Sequence, residues 1–179
     1  EVVLEEGEVE FAASHNGLAV TATVSADQTV HYDILDDQLQ IETAGEGEIP
    51  ITINGEPTTI QAGETFTVLE VSMDIKPDSN VNPINCKAKN SIIPVAVLTT
   101  DTFDATLIDP VTVLLEGAPE KHSKLHQEDI DGDGTPDAML HFRLGDTTLT
   151  CNSTQATLTG KTTDNHLFIA TDSIDTTPN

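Results

Sequence analysis

From Leu18 the chain reads Leu-Ala-Val-Thr-Ala-Thr-Val, with Leu18, Val20, Ala22 and Val24 on one face and Thr21 and Thr23 on the other. A period of two is the signature of a half-buried strand. Similar short segments, broken by turn residues, recur along the first 70 residues: 9–13, 18–24, 30–35, 39–43, 49–53, 58–61 and 66–71. Asn54-Gly55, set between Ile51-Thr52-Ile53 and Thr58-Thr59-Ile60, is a strong two-residue hairpin signal. Gly45, Glu46, Gly47 and Glu48 form an acidic turn between two further strands. Seven short strands at this spacing predict a small β-sandwich.

Composition points the same way. There are 26 Thr, no Trp and only 3% aromatic residues, so any core is built from Val, Ile, Leu and Ala. Thr and Val favour the pleated surface of a strand. No stretch carries sustained helical periodicity with caps.

A second unit is expected from about Val71, with strands over 71–75, 91–99, 111–115, 121–127, 138–143, 155–159 and 167–170. Ile92-Ile93-Pro94-Val95-Ala96-Val97-Leu98 is a continuous apolar run, which predicts a strand buried on both faces. Pro94 within it predicts a bulge or an edge position. Asp109-Pro110 marks a turn. The polar stretch 171–179 is expected to fray. The expected fold is all-β, two small β-sandwich-like domains in tandem: an acidic domain over 1–70 and a calcium-binding domain over 71–179.

Charge narrows the function. Seven Lys and Arg face 31 Asp and Glu, a net charge of -24, and the first basic residue is Lys76. Such a surface repels nucleic acid and anionic lipid. It attracts divalent cations. No apolar run approaches the roughly 18 residues of a transmembrane helix, so no membrane insertion is expected. A start at Glu1 without Met fits a processed mature protein or a trimmed one.

The two cysteines, Cys86 and Cys151, lie outside any Cys-x-x-Cys pair, which argues against a zinc or redox motif. A Cys86–Cys151 disulfide suits an oxidising compartment; the alternative is two buried free thiols. A bridge closing so long a loop is worth about 3–5 kcal/mol. Asn152-Ser153-Thr154 is an N-glycosylation sequon in an expected loop, with Asn152 as acceptor.

The strongest chemical signal is Glu128-Asp129-Ile130-Asp131-Gly132-Asp133-Gly134-Thr135-Pro136-Asp137. Counting from Asp129, acids fall at positions 1, 3, 5 and 9, with Gly at 6. Calcium takes six to eight oxygens at about 2.3–2.6 Å. Asp129, Asp131 and Asp133 supply three, the Thr135 carbonyl is placed to be a fourth, and Asp137 binds directly or through water. An EF-hand has Glu at position 12, where this chain has Leu140, and Ala138-Met139-Leu140-His141-Phe142 reads as a strand. In spacing, though not in flanks, the loop resembles the calcium loops of dockerins and thrombospondin type 3 repeats. The remaining ligand must come from elsewhere, Glu128 or Asp74 being candidates.

Residues 72–175 also resemble a domain of secreted, multidomain proteins of archaea and bacteria. The resemblance is carried by Asp74-Ile75-Lys76-Pro77-Asp78-Ser79, where Asp78 stands in place of the usual Gly, by Ile93-Pro94-Val95-Ala96-Val97-Leu98, and by Asp129 to Phe142. Leu158-Thr159-Gly160 and Asp172-Ser173-Ile174 complete it. It implies an extracellular accessory domain with calcium and no known catalysis, and is silent about residues 1–70.

Other constellations are weaker. His122 and His126 are four apart, with His141 later. In a strand His122 and His126 would share a face with Lys124, so they read as surface or structural histidines ahead of a zinc site. Gly160-Lys161-Thr162 is not the end of a phosphate loop, because Gln155 stands where its first Gly belongs and no helix follows. Gly-x-Ser-x-Gly is absent, and 31 acids permit any carboxylate pairing without singling one out.

The expected function is therefore an extracellular or cell-surface, non-catalytic structural or adhesive protein stabilised by calcium (Ca2+). Self-association into an oligomer or filament is expected, with Glu1-Val2-Val3-Leu4-Glu5 pairing with a neighbour's sheet edge. The alternative is a carbohydrate-binding accessory module with a glycan or cell-surface partner. A scarcity of aromatic faces weighs against it.

Overall fold

The computed structural model describes residues 9–15, 18–35, 38–53, 55–77, 79 and 81–178. The chain is nearly all β, with 54% strand and 4% helix, so the missing helical periodicity was a sound guide to class. It divides into two compact units: Glu1–Leu69 with Asn165–Leu167, and Glu70–Asp164 with Phe168–Asn179.

The first unit holds β1 (Val9–His15), β2 (Leu18–Val24), β3 (Thr29–Leu35), β4 (Gln38–Ala44), β5 (Glu48–Ile53), β6 (Glu56–Gln61) and β7 (Thr65–Glu70). One sheet runs β1-β2-β5-β6, and β3, β4 and β7 pair in that order. The period of two does the sorting. Val20, Ala22 and Val24 on β2, Leu39 and Ile41 on β4, and Ile49, Ile51 and Ile53 on β5 are all buried, while the described residues beside them in sequence face outward. Ile53 lies directly opposite Glu56, so the β5–β6 connection is the expected two-residue hairpin, with Gly55 at φ 89°. Asn54 lies outside the described residues, as do the segment 1–5 expected to pair with a neighbour, and Asp78.

The second unit holds β8 (Met73–Ile75), β9 (Pro83–Asn85), β10 (Ile92–Val97), β11 (Leu114–Leu115), β12 (Ala118–Pro119), β13 (His126–Glu128), β14 (Asp137–Arg143), β15 (Gln155–Lys161), β16 (Leu167–Ser173) and β17 (Asp175–Thr177). One sheet runs β13-β14-β10-β8; β12, β11, β15 and β16 pair in that order; β17 and β9 pair in parallel. On β14, Ala138, Leu140 and Phe142 are buried and Met139 and His141 half-exposed, so one face meets the core.

β10 is an interior strand, against the edge position that Pro94 suggested. Pro94 is tolerated because it opposes His141. The His141 amide and carbonyl both bond outward, to Glu120 Oε1 (3.2 Å) and from Lys121 N (2.9 Å), so no ladder bond on that side requires a Pro94 N–H. Burial on both faces holds only over Val95–Val97; Ile92 and Pro94 are half-exposed.

Gly160 is a packing residue. A Cβ there would stand 2.6 Å from Phe168 Cζ and 3.1 Å from Val113 Cγ2.

Three expected elements differ. Only Leu114–Leu115 of 111–115 is strand, because the Asp109 carbonyl accepts Thr112 N and its carboxylate accepts Val111 N, prolonging the turn. Of 121–127 only the end is strand: the Glu120 carboxylate takes the His122 amide (2.6 Å), and Ser123 sits at φ 50°, bending the chain. Residues 171–177 do not fray. Ile174 is buried, Asp172 Oδ2 accepts Ile75 N and Asn82 Nδ2 (both 2.9 Å), and Thr176 Oγ1 donates to the carbonyls of Cys151 and Ser153 (both 3.0 Å). A single buried isoleucine and these four side-chain bonds anchor this polar segment.

Cys86 and Cys151 form the expected disulfide, with Cα atoms 5.1 Å apart and 65 residues of separation. Cys86 N donates to Thr177 O at 3.0 Å, so the bridge and the β9–β17 pair reinforce one another. Asn152 of the sequon is exposed in the turn that follows Cys151. No helix of the described residues is long and apolar enough to cross a membrane.

Candidate metal centre

The acidic loop joins the end of β13 to the start of β14, and Glu128 pairs directly with Asp137. The loop is therefore the tip of a β-hairpin, with no helix on either flank. Gly132 at φ 80° and Gly134 at φ 94° supply the left-handed turns that non-glycine residues resist.

Within it Asp129, Asp131 and Asp137 each bring one carboxylate oxygen within 4.8 Å of the others. Oxygens on opposite sides of a calcium ion stand about 4.8 Å apart, twice a bond of about 2.4 Å. The trio thus spans no more than one calcium shell. Its donors are all carboxylate oxygen, the set preferred by hard cations such as calcium, magnesium and manganese.

Asp137 is fully buried and carries the geometry. Its Oδ1 accepts Thr99 N and its Oδ2 accepts Ile130 N, both at 2.8 Å. It thereby ties the start of the loop to the chain beyond β10. Each oxygen keeps lone pairs after one such bond. Asp129 folds the turn by accepting Gly132 N (2.8 Å) and Gly134 N (3.1 Å), and Asp131 Oδ1 accepts Asp133 N (3.1 Å).

Asp133 stands outside the trio. Asp133 Oδ1 accepts the Thr135 hydroxyl (2.6 Å) and amide (2.7 Å) instead. The hydroxyl bond first, then the amide bond, holds the Asp133 carboxyl below its ordinary range. Glu128 is exposed beside Asp129, both lining a hollow with Lys76, Ser79 and Pro94. Asp74, on β8, has its carboxyl raised by burial and then by the neighbouring Asp172.

A second cluster gathers histidines that the sequence named as surface or structural, and adds Glu120, which it did not single out. Glu120, His122 and His141 also bring ligand atoms within 4.8 Å of one another. The His126 ring lies 5.7 Å from that of His122 and 5.9 Å from that of His141. Pairing His126 with Met139 puts both on the face of β14 that also carries His141, and the bend at Ser123 returns His122 to it. The strand reading concealed this, since it kept His122 and His126 in one straight row.

Among the described side chains the aromatic residues give little to a sugar. Phe66, Phe103, Phe142 and Phe168 are buried, and burial pushes the Tyr32 hydroxyl up to about 12. Set against known protein families and curated protein sequences, the chain matches none. The resemblance of residues 72–175 rests on its motifs.

Proposed function

We propose that this chain is a non-catalytic structural or adhesive protein of the cell exterior, built from two β-units and stabilised by calcium in the Asp129–Asp137 loop. The observation that carries this is the convergence of Asp129, Asp131 and Asp137 at the tip of the β13–β14 hairpin. Three carboxylates so close repel one another unless a cation lies between them. An oxygen-only set at a glycine-bent loop favours calcium over zinc, and over magnesium, which demands a tighter octahedron and keeps its waters.

The Cys86–Cys151 bridge supports an oxidising compartment. A net charge of -24 supports a calcium-rich or salty medium, where cations screen repulsion between neighbouring copies. In this reading calcium also permits self-association, by neutralising surfaces that otherwise hold copies apart.

Sedimentation velocity of the full chain, in millimolar calcium and then in excess chelator, tests the assembly. The reading predicts larger species in calcium that dissociate in chelator. A monomer at high concentration in both conditions removes the filament role and leaves a calcium-stabilised monomer.

A further inference from the structure

The histidine cluster lies at the other end of β13 from the acidic loop, and its chemistry differs. Imidazole nitrogen is a poor ligand for calcium and a good one for zinc, copper and nickel. The ring centroids of His122, His126 and His141 are 5.4, 5.7 and 5.9 Å apart, with interplanar angles of 79°, 85° and 87°. With Zn–N of about 2.0–2.1 Å and the ring centre about 1.1 Å beyond the nitrogen, tetrahedral geometry places ligand rings about 5.2 Å apart. The three rings thus stand within about 1 Å of a three-imidazole shell in every pair.

A second observation comes from His141. Its Nδ1 is buried and has no hydrogen-bond partner. Buried polar atoms are nearly always satisfied, and one left over calls for an unplaced ligand or water.

Glu120 supplies the frame. It is buried, and its Oε2 and Oε1 accept the backbone amides of His122 and His141. It fastens the bend carrying His122 to the strand carrying His141. Its negative charge also offsets the positive charge of Lys121, which acts on His141. This resembles the second shell of many metal sites, where a carboxylate fixes the ligands.

We propose that His122, His126 and His141, framed by Glu120, bind a divalent first-row transition-metal ion of the zinc type, independently of the acidic loop. Neighbouring ligand atoms of tetrahedral zinc lie about 3.3–3.4 Å apart. Ligand nitrogens of His122 and His141 already lie within 4.8 Å of each other, and turning the exposed imidazoles of His122 and His126 closes the remaining gap while buried Glu120 stays fixed. His122 and His126 are both exposed and have room to turn. The bound ion staples the 120–126 segment onto β14.

The test is zinc chloride titrated into the full chain in excess calcium, which keeps the acidic loop filled. Calorimetry is expected to give one saturable site. His122→Asn and His126→Asn, at exposed positions, are each expected to weaken it at least tenfold, with chelator melting temperatures unchanged. Asp131→Asn is expected to leave it unaltered. Histidine ring NMR of the wild type reads the same question without a variant: on zinc addition His122, His126 and His141 shift, while His15, His31 and His166 do not. No saturation, wild-type affinity in both His variants, or shifts confined to the other three histidines would overturn the proposal.

Discussion

Replacing Asp137 by Asn keeps the shape of the side chain and turns one acceptor oxygen into a donor. In the folded chain both oxygens accept buried backbone amides, from Thr99 and Ile130. Asn can satisfy one and must point its NH2 at the other. A buried amide left unsatisfied costs about 1–3 kcal/mol, and the surviving bond, no longer to a charge, loses about 1 kcal/mol more. The sum is about 3 kcal/mol. At roughly 4 °C per kcal/mol for a unit of about a hundred residues, the melting temperature falls about 12 °C. This loss is present in chelator, because it belongs to the clamp. Asp131→Asn is the contrast. Asp131 is exposed and accepts only Asp133 N, a bond that Asn retains, so in chelator it changes stability by no more than about 0.5 kcal/mol. In 10 mM calcium the wild type gains about 1.4–2.7 kcal/mol if Kd lies near 10⁻³–10⁻⁴ M, and Asp131→Asn loses most of that gain. The assay is thermal melting of the three proteins in both conditions. An Asp137→Asn protein as stable as wild type in chelator refutes the clamp, and an Asp131→Asn protein that follows wild type in both refutes the cation.

The disulfide closes a 65-residue separation, worth about 4 kcal/mol by chain entropy, so reduction or the double change Cys86→Ala, Cys151→Ala lowers the melting temperature by about 15 °C. A fall below about 5 °C would show that the β9–β17 region holds without it. Asp74 has its carboxyl raised above the ordinary range, so the folded state binds a proton more tightly than the unfolded. Ionising it in its buried setting, and secondarily beside Asp172, subtracts stability above that raised value, and the loss is relieved as pH falls through it. Asp74→Asn therefore raises the melting temperature at pH 7 and leaves it unchanged near pH 3; no difference at pH 7 would rule out a cost of ionising Asp74.

Where structure followed from neighbours in sequence, the chain was legible. Alternation on β2, β4 and β5, the 54–55 hairpin and the Cys86–Cys151 bridge each depend on a local period, a turn dipeptide or a single pairing choice. The acidic loop was legible as a loop and a cluster, but not in the share each acid takes. Asp133 looked equivalent to Asp131, yet the Thr135 hydroxyl two residues on diverts it. What failed depended on contacts distant in the chain. The parallel β9–β17 pair joins Pro83–Asn85 to Asp175–Thr177, and neither three-residue strand carries a period of its own. The histidine cluster needed a positive φ at Ser123, a residue type with no strong preference for it, and Glu120 to hold the bend. Pro94 misled because its neighbour's hydrogen bonds, not its own ring, decide whether an interior strand accepts it.

Calcium binding at the Asp129–Asp137 loop is tested most directly by isothermal calorimetry of the full chain, stripped with chelator and titrated with calcium chloride. The account predicts a saturable isotherm with Kd of about 10⁻⁴–10⁻³ M, little displacement by equal magnesium, and loss of the heat in Asp131→Asn. No calcium heat, together with a melting curve that chelator leaves unmoved, would mean that the loop is an acidic turn held by its own hydrogen bonds.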